Sequence, residues 1–160
     1  MRAFDHVSAT SAEEALAQLS AQQDGEARFI AGGTDLLTLM KADLVRPARL
    51  IDLKPLTHLR GVKHQPDGAI SIGALTTLAD IERDASISGS VPMLIQAIQD
   101  AATPQLRAMA TIGGNLLQQC RCWYYRDGLN CWLAGGDECF AREGQNQYHA
   151  IFQQGPCVAA

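Results

Sequence analysis

Four cysteines, Cys122, Cys131, Cys139 and Cys157, are separated by 8, 7 and 17 residues, and a fifth, Cys120, stands beside the first of them. None occurs earlier in the chain. Thiolates are ligands for soft metal centres. Their crowding into one segment points to one local task, and the simplest is to hold a single centre. Zinc takes four thiolates, but usually through paired short spacings such as C-x2-C, which are absent here. Iron–sulfur clusters also take four thiolates, and the wide spacing is unlike the tight ferredoxin run. An odd count argues against a set of disulfides. Spacing alone therefore leaves a metal centre and no centre both open.

A second set of residues suggests anion binding. Ile30-Ala31-Gly32-Gly33-Thr34-Asp35 places a glycine pair between an expected strand and an expected helix, and Thr111-Ile112-Gly113-Gly114-Asn115 repeats the device. Glycine admits positive φ and lets backbone N–H groups approach a ligand. Such groups at a turn or helix start favour an anion. Two such turns can clamp one pyrophosphate, although a Gly-Gly pair also serves as a plain tight turn. Neither is G-x-G-x-x-G, so a Rossmann site is not indicated.

The elements that must carry these turns read as follows. Ser11 and Glu14 form a capping box, and Ala12, Ala15, Leu16 and Leu19 follow at helical spacing, which predicts a helix over 12–22. Residues 27–31 read as a strand and 35–42 as a helix capped by Thr34. Residues 50–53 read as a buried strand. Val62–His64 and Ala69–Gly73 read as a hairpin turned at Asp67-Gly68. Thr76 or Thr77 opens a helix to about 83, and a helix with Pro92 in its first turn runs to about 102. Residues 106–112 read as extended. From 118 to 157 the chain is rich in turns, aromatics and cysteines, without periodicity.

Composition sets outer limits. The chain has 160 residues, 47% hydrophobic and 19% charged, with a net charge of −4. A core is feasible at this size without disulfides. No basic stripe is present, which disfavours nucleic acid as a partner, and no apolar run reaches the length of a spanning helix. The stretch after Met1 has no apolar signal-peptide core. The expected compartment is cytoplasmic, or periplasmic if the chain is exported with a signal-bearing partner. There is no Ser-His-Asp set, no H-E-x-x-H and no informative carboxylate pair. His6, His58 and His64 read as solvated. His149, inside the cysteine segment, reads as structural, with a hydrogen bond near the centre as the alternative.

These residues carry a resemblance. Ala31–Leu37, Pro104–Arg107 and Thr111–Leu117 resemble the FAD-binding subunit of the molybdenum hydroxylases, the family of xanthine dehydrogenases, carbon monoxide dehydrogenase and aldehyde oxidoreductases. The resemblance implies an α+β, two-lobed FAD-binding domain of the PCMH type. Its lobes would be residues 1–54 and 55–160, the second truncated and carrying the cysteine loop at about 118–157. It also implies that the C-terminal domain of such subunits is absent. The first FAD loop would be Phe29, Ile30, Ala31, Gly32, Gly33, Thr34, Asp35, Leu36 and Leu37. The second would be Thr111, Ile112, Gly113, Gly114 and Asn115. Backbone amides and the Thr34, Thr111 and Asn115 side chains would donate to phosphate oxygens, with Asp35 capping a helix.

Leu116–Asp127, Gly135–Asp137 and Tyr148–Ile151 are similar to a sub-branch, the periplasmic aldehyde oxidoreductase type, whose flavin subunit holds an additional [4Fe-4S] cluster. That implies Cys122, Cys131, Cys139 and Cys157 as ligands and leaves Cys120 without a role. The implied function is electron transfer within a heterotrimer that includes a [2Fe-2S] small subunit and a molybdenum-cofactor large subunit, which oxidises an aldehyde or xanthine-type substrate. Electrons would pass from the molybdenum site to the FAD and on to an external acceptor. The competing readings are a non-enzymatic four-cysteine metal-binding domain, an inactive fragment, and a standalone flavin oxidase.

Overall fold

The computed structural model describes residues 1–23, 25–152 and 155–160. Positions 153 and 154 of the expected cysteine loop lie outside the described residues. The chain forms two compact units, Met1–Leu117 and Gln118–Ala160. The boundary expected near residue 54 falls within the first, where it coincides with a division of the core.

The first unit opens with three parallel strands, β1 (Asp5–Ser8), β2 (Ala27–Ile30) and β3 (Arg49–Asp52), in the order β1-β3-β2. Helix α1 (Ala12–Ser20) follows β1, and α2 (Leu36–Lys41) joins β2 to β3. Parallel neighbours need such crossovers. Leu50, Ile51 and Asp52 of the central strand are all buried. Ser11 caps α1 by accepting from the Glu14 N–H. The Glu14 carboxylate reaches back past Ser11 to the Thr10 N–H and hydroxyl. Ala9, Ala15, Ala27 and Ile51 pack as one cluster, and Ile30, Met40 and Leu50 as another.

The rest of this unit is a hairpin and a set of short helices. Strands β4 (Val62–His64) and β5 (Ile70–Ile72) pair antiparallel across the predicted turn. Helices α3 (Leu78–Arg83), α4 (Ala85–Ser90), α5 (Pro92–Ala101), α6 (Pro104–Arg107) and α7 (Ile112–Leu116) follow. Leu78, Ile81, Ile87, Ile95 and Ile98 form their common core. Two expectations are corrected. Residues 104–107 and 112–116 are helical, and the extended chain is confined to 110–111, where Thr111 bridges Thr77 and the chain runs beside 74–78. There Leu78 N–H donates to the Ala110 carbonyl, Ile112 N–H to Thr76 and Gly113 N–H to Ala74. Helix α4, absent from the sequence reading, is capped by Asp84, which accepts from the Ser86 and Ile87 N–H groups.

Arg107 ties three helices together. Its Nε lies 3.0 Å from Glu82 Oε2, and its Nη1 donates to the Gln99 carbonyl at 3.1 Å and to that of Ala102. The Arg107 side chain is only 11% exposed and that of Glu82 25%. Truncating one member of a buried ion pair strands the other. Among the described residues no helix is long and apolar enough to cross a membrane. We predict that Arg107→Ala lowers unfolding stability by about 3 kcal/mol, by the usual cost of breaking a buried pair. A denaturant titration should show the loss; a change within about 0.5 kcal/mol, as for an ordinary surface site, would contradict this account.

Candidate functional site

The first glycine turn leaves the end of β2 and enters α2. Gly33 takes φ 72°, a left-handed conformation that favours glycine. Gly32 is constrained by space: a methyl group there would overlap the Met109 carbonyl oxygen. That carbonyl belongs to the chain leading into the second turn. The two turns are thus held together backbone to backbone, within one unit.

They differ in what they can offer. Among the described residues, the N–H groups of Gly32, Gly33, Thr34 and Leu36 have no hydrogen-bond acceptor. These positions are half-buried. Four amide donors at a strand-to-helix turn make a site for an anion. Asp35, as the resemblance implied, and not Thr34 occupies the N-cap position of α2, but its side chain does not make the expected capping hydrogen bond. The second turn is the start of α7, capped by Thr111, whose hydroxyl accepts from the Gly114 N–H. The Gly113 N–H is taken by the Ala74 carbonyl and the Asn115 N–H by Thr111. The polar groups left to face a ligand there are the Thr111 hydroxyl proton and the Asn115 side chain.

The second unit brings together cysteines that are distant in sequence. Cys122, Cys131, Cys139 and Cys157 line one apolar cavity, with Tyr124, Tyr125, Trp132, Leu133 and Phe140 completing most of its wall. Cys120 is not part of that wall. Each internal cysteine opens a tight turn. The Cys122 carbonyl accepts from Arg126 N–H at the start of α8 (Trp123–Arg126). The Cys131 carbonyl accepts from Ala134 and Gly136, around a 3-10 turn at Trp132–Ala134, and that of Cys139 accepts from Arg142.

Two arginines hold the segment's ends. Arg126 donates to the Gln119 and Cys120 carbonyls, and Arg142 to those of Gly155 and Pro156, just before Cys157. Tyr124 receives the Gln145 N–H on its hydroxyl. The His149 Nε2 lies 3.1 Å from the Cys122 sulfur. Burial pushes the Cys120 thiol above its ordinary pKa, and negative charge at Cys122 and Cys157 adds to this.

As the side chains stand, no three His, Cys, Asp or Glu groups among the described residues could hold a metal ion. A lone zinc binds thiolates at about 2.3 Å, which sets them about 3.8 Å from one another. The thiols therefore share a cavity without being gathered to the spacing of a single ion. All five cysteines are unpaired. The unit, Gln118–Ala160, has 43 residues, and its buried apolar side chains among those described are Cys131, Ala141 and Val158.

Residues 2–150 match the family described as the FAD binding domain in molybdopterin dehydrogenase. The chain is 38% identical over 154 residues to the aldehyde oxidoreductase FAD-binding subunit PaoB of Escherichia coli (strain K12), covering 94% of this chain and 47% of that protein. It is 34% identical over 113 residues to the carbon monoxide dehydrogenase medium chain of Hydrogenophaga pseudoflava, covering 71% and 39%. Among solved structures, a carbon monoxide dehydrogenase from Hydrogenophaga pseudoflava gives a TM-score of 0.68 at 32% identity, over 72% of this chain and 39% of that one. The chain thus spans about half or less of the length of these relatives. Aligned over 94% of the chain, the Escherichia coli subunit necessarily matches into the cysteine unit.

Two glycines give opposite expectations. Gly32→Ala must separate the two turns and should destabilise the protein by about 1–3 kcal/mol, as overpacking does. Gly89→Ala, in α4 with open space around it, should stabilise by about 0.5–1 kcal/mol. Thermal unfolding of both variants checks this, and a neutral Gly32→Ala would contradict the backbone contact.

Proposed function

The chain belongs to the family of FAD-binding domains in molybdopterin dehydrogenases, and from that premise we propose that it is the FAD- and [4Fe-4S]-binding electron-transfer part of a molybdenum-dependent oxidoreductase. It would act with a [2Fe-2S] subunit and a molybdenum-cofactor subunit, on an aldehyde or xanthine-type substrate. The observation that carries the cluster assignment is the single cavity lined by Cys122, Cys131, Cys139 and Cys157.

The first turn supplies the flavin's diphosphate with donors, because the amides of Gly32, Gly33, Thr34 and Leu36 have no acceptor among the described residues. Thr111 and Asn115 contribute side chains, while the glycine amides beside them serve the fold. Residues Phe29 to Leu37 and Thr111 to Asn115 are the proposed FAD loops. Bound FAD supplies two-electron acceptance and stepwise release. The residues bind it and orient it; none is needed as an acid or base.

The cysteine unit fits an iron–sulfur cage better than zinc. Irons and sulfides stand between the ligands of a cluster, so its thiolates lie further apart than those around one ion. A four-thiolate donor set is the normal one for [4Fe-4S]. The aromatic wall excludes water, which bears on the potential of a bound cluster. A segment of this size with so few buried apolar groups also needs a staple.

Protein purified without oxygen, together with its copurifying subunits, should contain one flavin per chain and four irons and four sulfides beyond those of the [2Fe-2S] subunit. Zinc in place of iron would overturn the cluster assignment, and absence of flavin would overturn the FAD assignment. Cys131→Ser should lose those four irons and four sulfides while keeping flavin, and Cys120→Ser should keep all three. Iron loss in Cys120→Ser equal to that in Cys131→Ser would show that the ligands are misassigned.

A further inference from the structure

We propose that His149 is a positioning residue for the cluster: its Nε2–H donates to the Cys122 sulfur, holds that thiolate toward the cavity, and raises the reduction potential of the cluster it ligates. This rests on the four-cysteine iron–sulfur reading above.

The geometry comes first. Nε2 stands 3.1 Å from Sγ of Cys122. The imidazole is set edge-on to Trp123, with centroids 5.0 Å apart at 84°, and lies 6.3 Å from the Tyr124 ring. Its orientation is therefore fixed by packing. The segment carrying it is pinned on both sides, by His149 N–H on the Asn146 carbonyl and Ala150 N–H on that of Val158. Nδ1 is buried and has no partner among the described residues. The sulfur is thus the polar partner of this ring. Toward a thiolate, which only accepts, the contact must be an N–H donor.

The consequence follows from charge. Reducing a cluster adds an electron that is shared onto the thiolate sulfurs. A donor on one sulfur stabilises the more negative state, one of the means by which proteins set cluster potentials. The same contact distinguishes Cys122, which is on the cavity wall, from Cys120, which is not.

The test uses the full protein purified without oxygen as wild type, His149→Phe and His149→Gln. Each is assayed for iron and sulfide, and the cluster is titrated potentiometrically with paramagnetic-resonance detection. His149→Phe keeps a planar ring and lacks the N–H. It should keep its iron and become harder to reduce, with the oxidised-to-reduced ratio at fixed potential rising about fivefold, or about 40 mV for one electron. The flavin potential should not move. A retained cluster with an unchanged potential overturns the proposal. If His149→Phe holds no iron, His149→Gln decides: restored iron supports a donor at this position, and continued loss contradicts it. A wild type without iron and sulfide removes the cluster reading itself, an outcome distinct from an iron-loaded variant whose potential does not move.

Discussion

The cysteine unit is governed by a shortage of core. Forty-three residues, Gln118–Ala160, bury only three apolar side chains among those described. Segments near this size rarely fold on hydrophobic burial and usually rely on a disulfide framework or a metal. With all five cysteines unpaired, the proposed ligation to a common centre would supply the staple. The arginine contacts of Arg126 and Arg142 to backbone carbonyls, and the turns opened by Cys122, Cys131 and Cys139, then have one purpose. They bring sulfur atoms from separate turns to one wall. A metal that binds only the assembled set adds its binding energy to folding.

The first unit faces a different constraint and resolves it with backbone contact. Three parallel strands deliver a turn at Gly32-Gly33, and the Met109 carbonyl occupies the space that a side chain at position 32 would need. One partner of this contact leaves its amides open; the other spends them on Ala74 and Thr111. The glycines of the two turns therefore do different work despite their similar spelling. In the first they present donors, and in the second they let chain 110–113 lie against 74–78.

Much of this was legible in the residues themselves. The Ser11 cap, the Asp67-Gly68 hairpin and the Pro92 helix start are local signals, readable because the interacting groups lie a few residues apart. Helix α4 was hidden because Gly89 and its serines are poor helix formers, and it depends on the Asp84 cap and on Ile87 reaching the core. Arg107 looked like any arginine, since its burial and its reach to Glu82 and Gln99 arise only when three helices meet. The four cysteines stood out by crowding, and only the resemblance set Cys120 apart from them; the shared cavity was not legible in their spacing. Spacing carries no signal for convergence when turns separate the ligands. The spent amide of Gly113 was equally invisible, because Ala74 lies far off in sequence, whereas that of Gly114 goes to the local cap at Thr111.

The central claim is that four thiolates enclose an iron–sulfur cage within the cavity. Diffraction recorded at the iron absorption edge from crystals of the protein, grown without oxygen, tests it most directly. The account predicts one compact anomalous peak of four irons, bounded by Cys122, Cys131, Cys139 and Cys157. A peak lying elsewhere, or one that appears at the zinc edge and not at the iron edge, would contradict it.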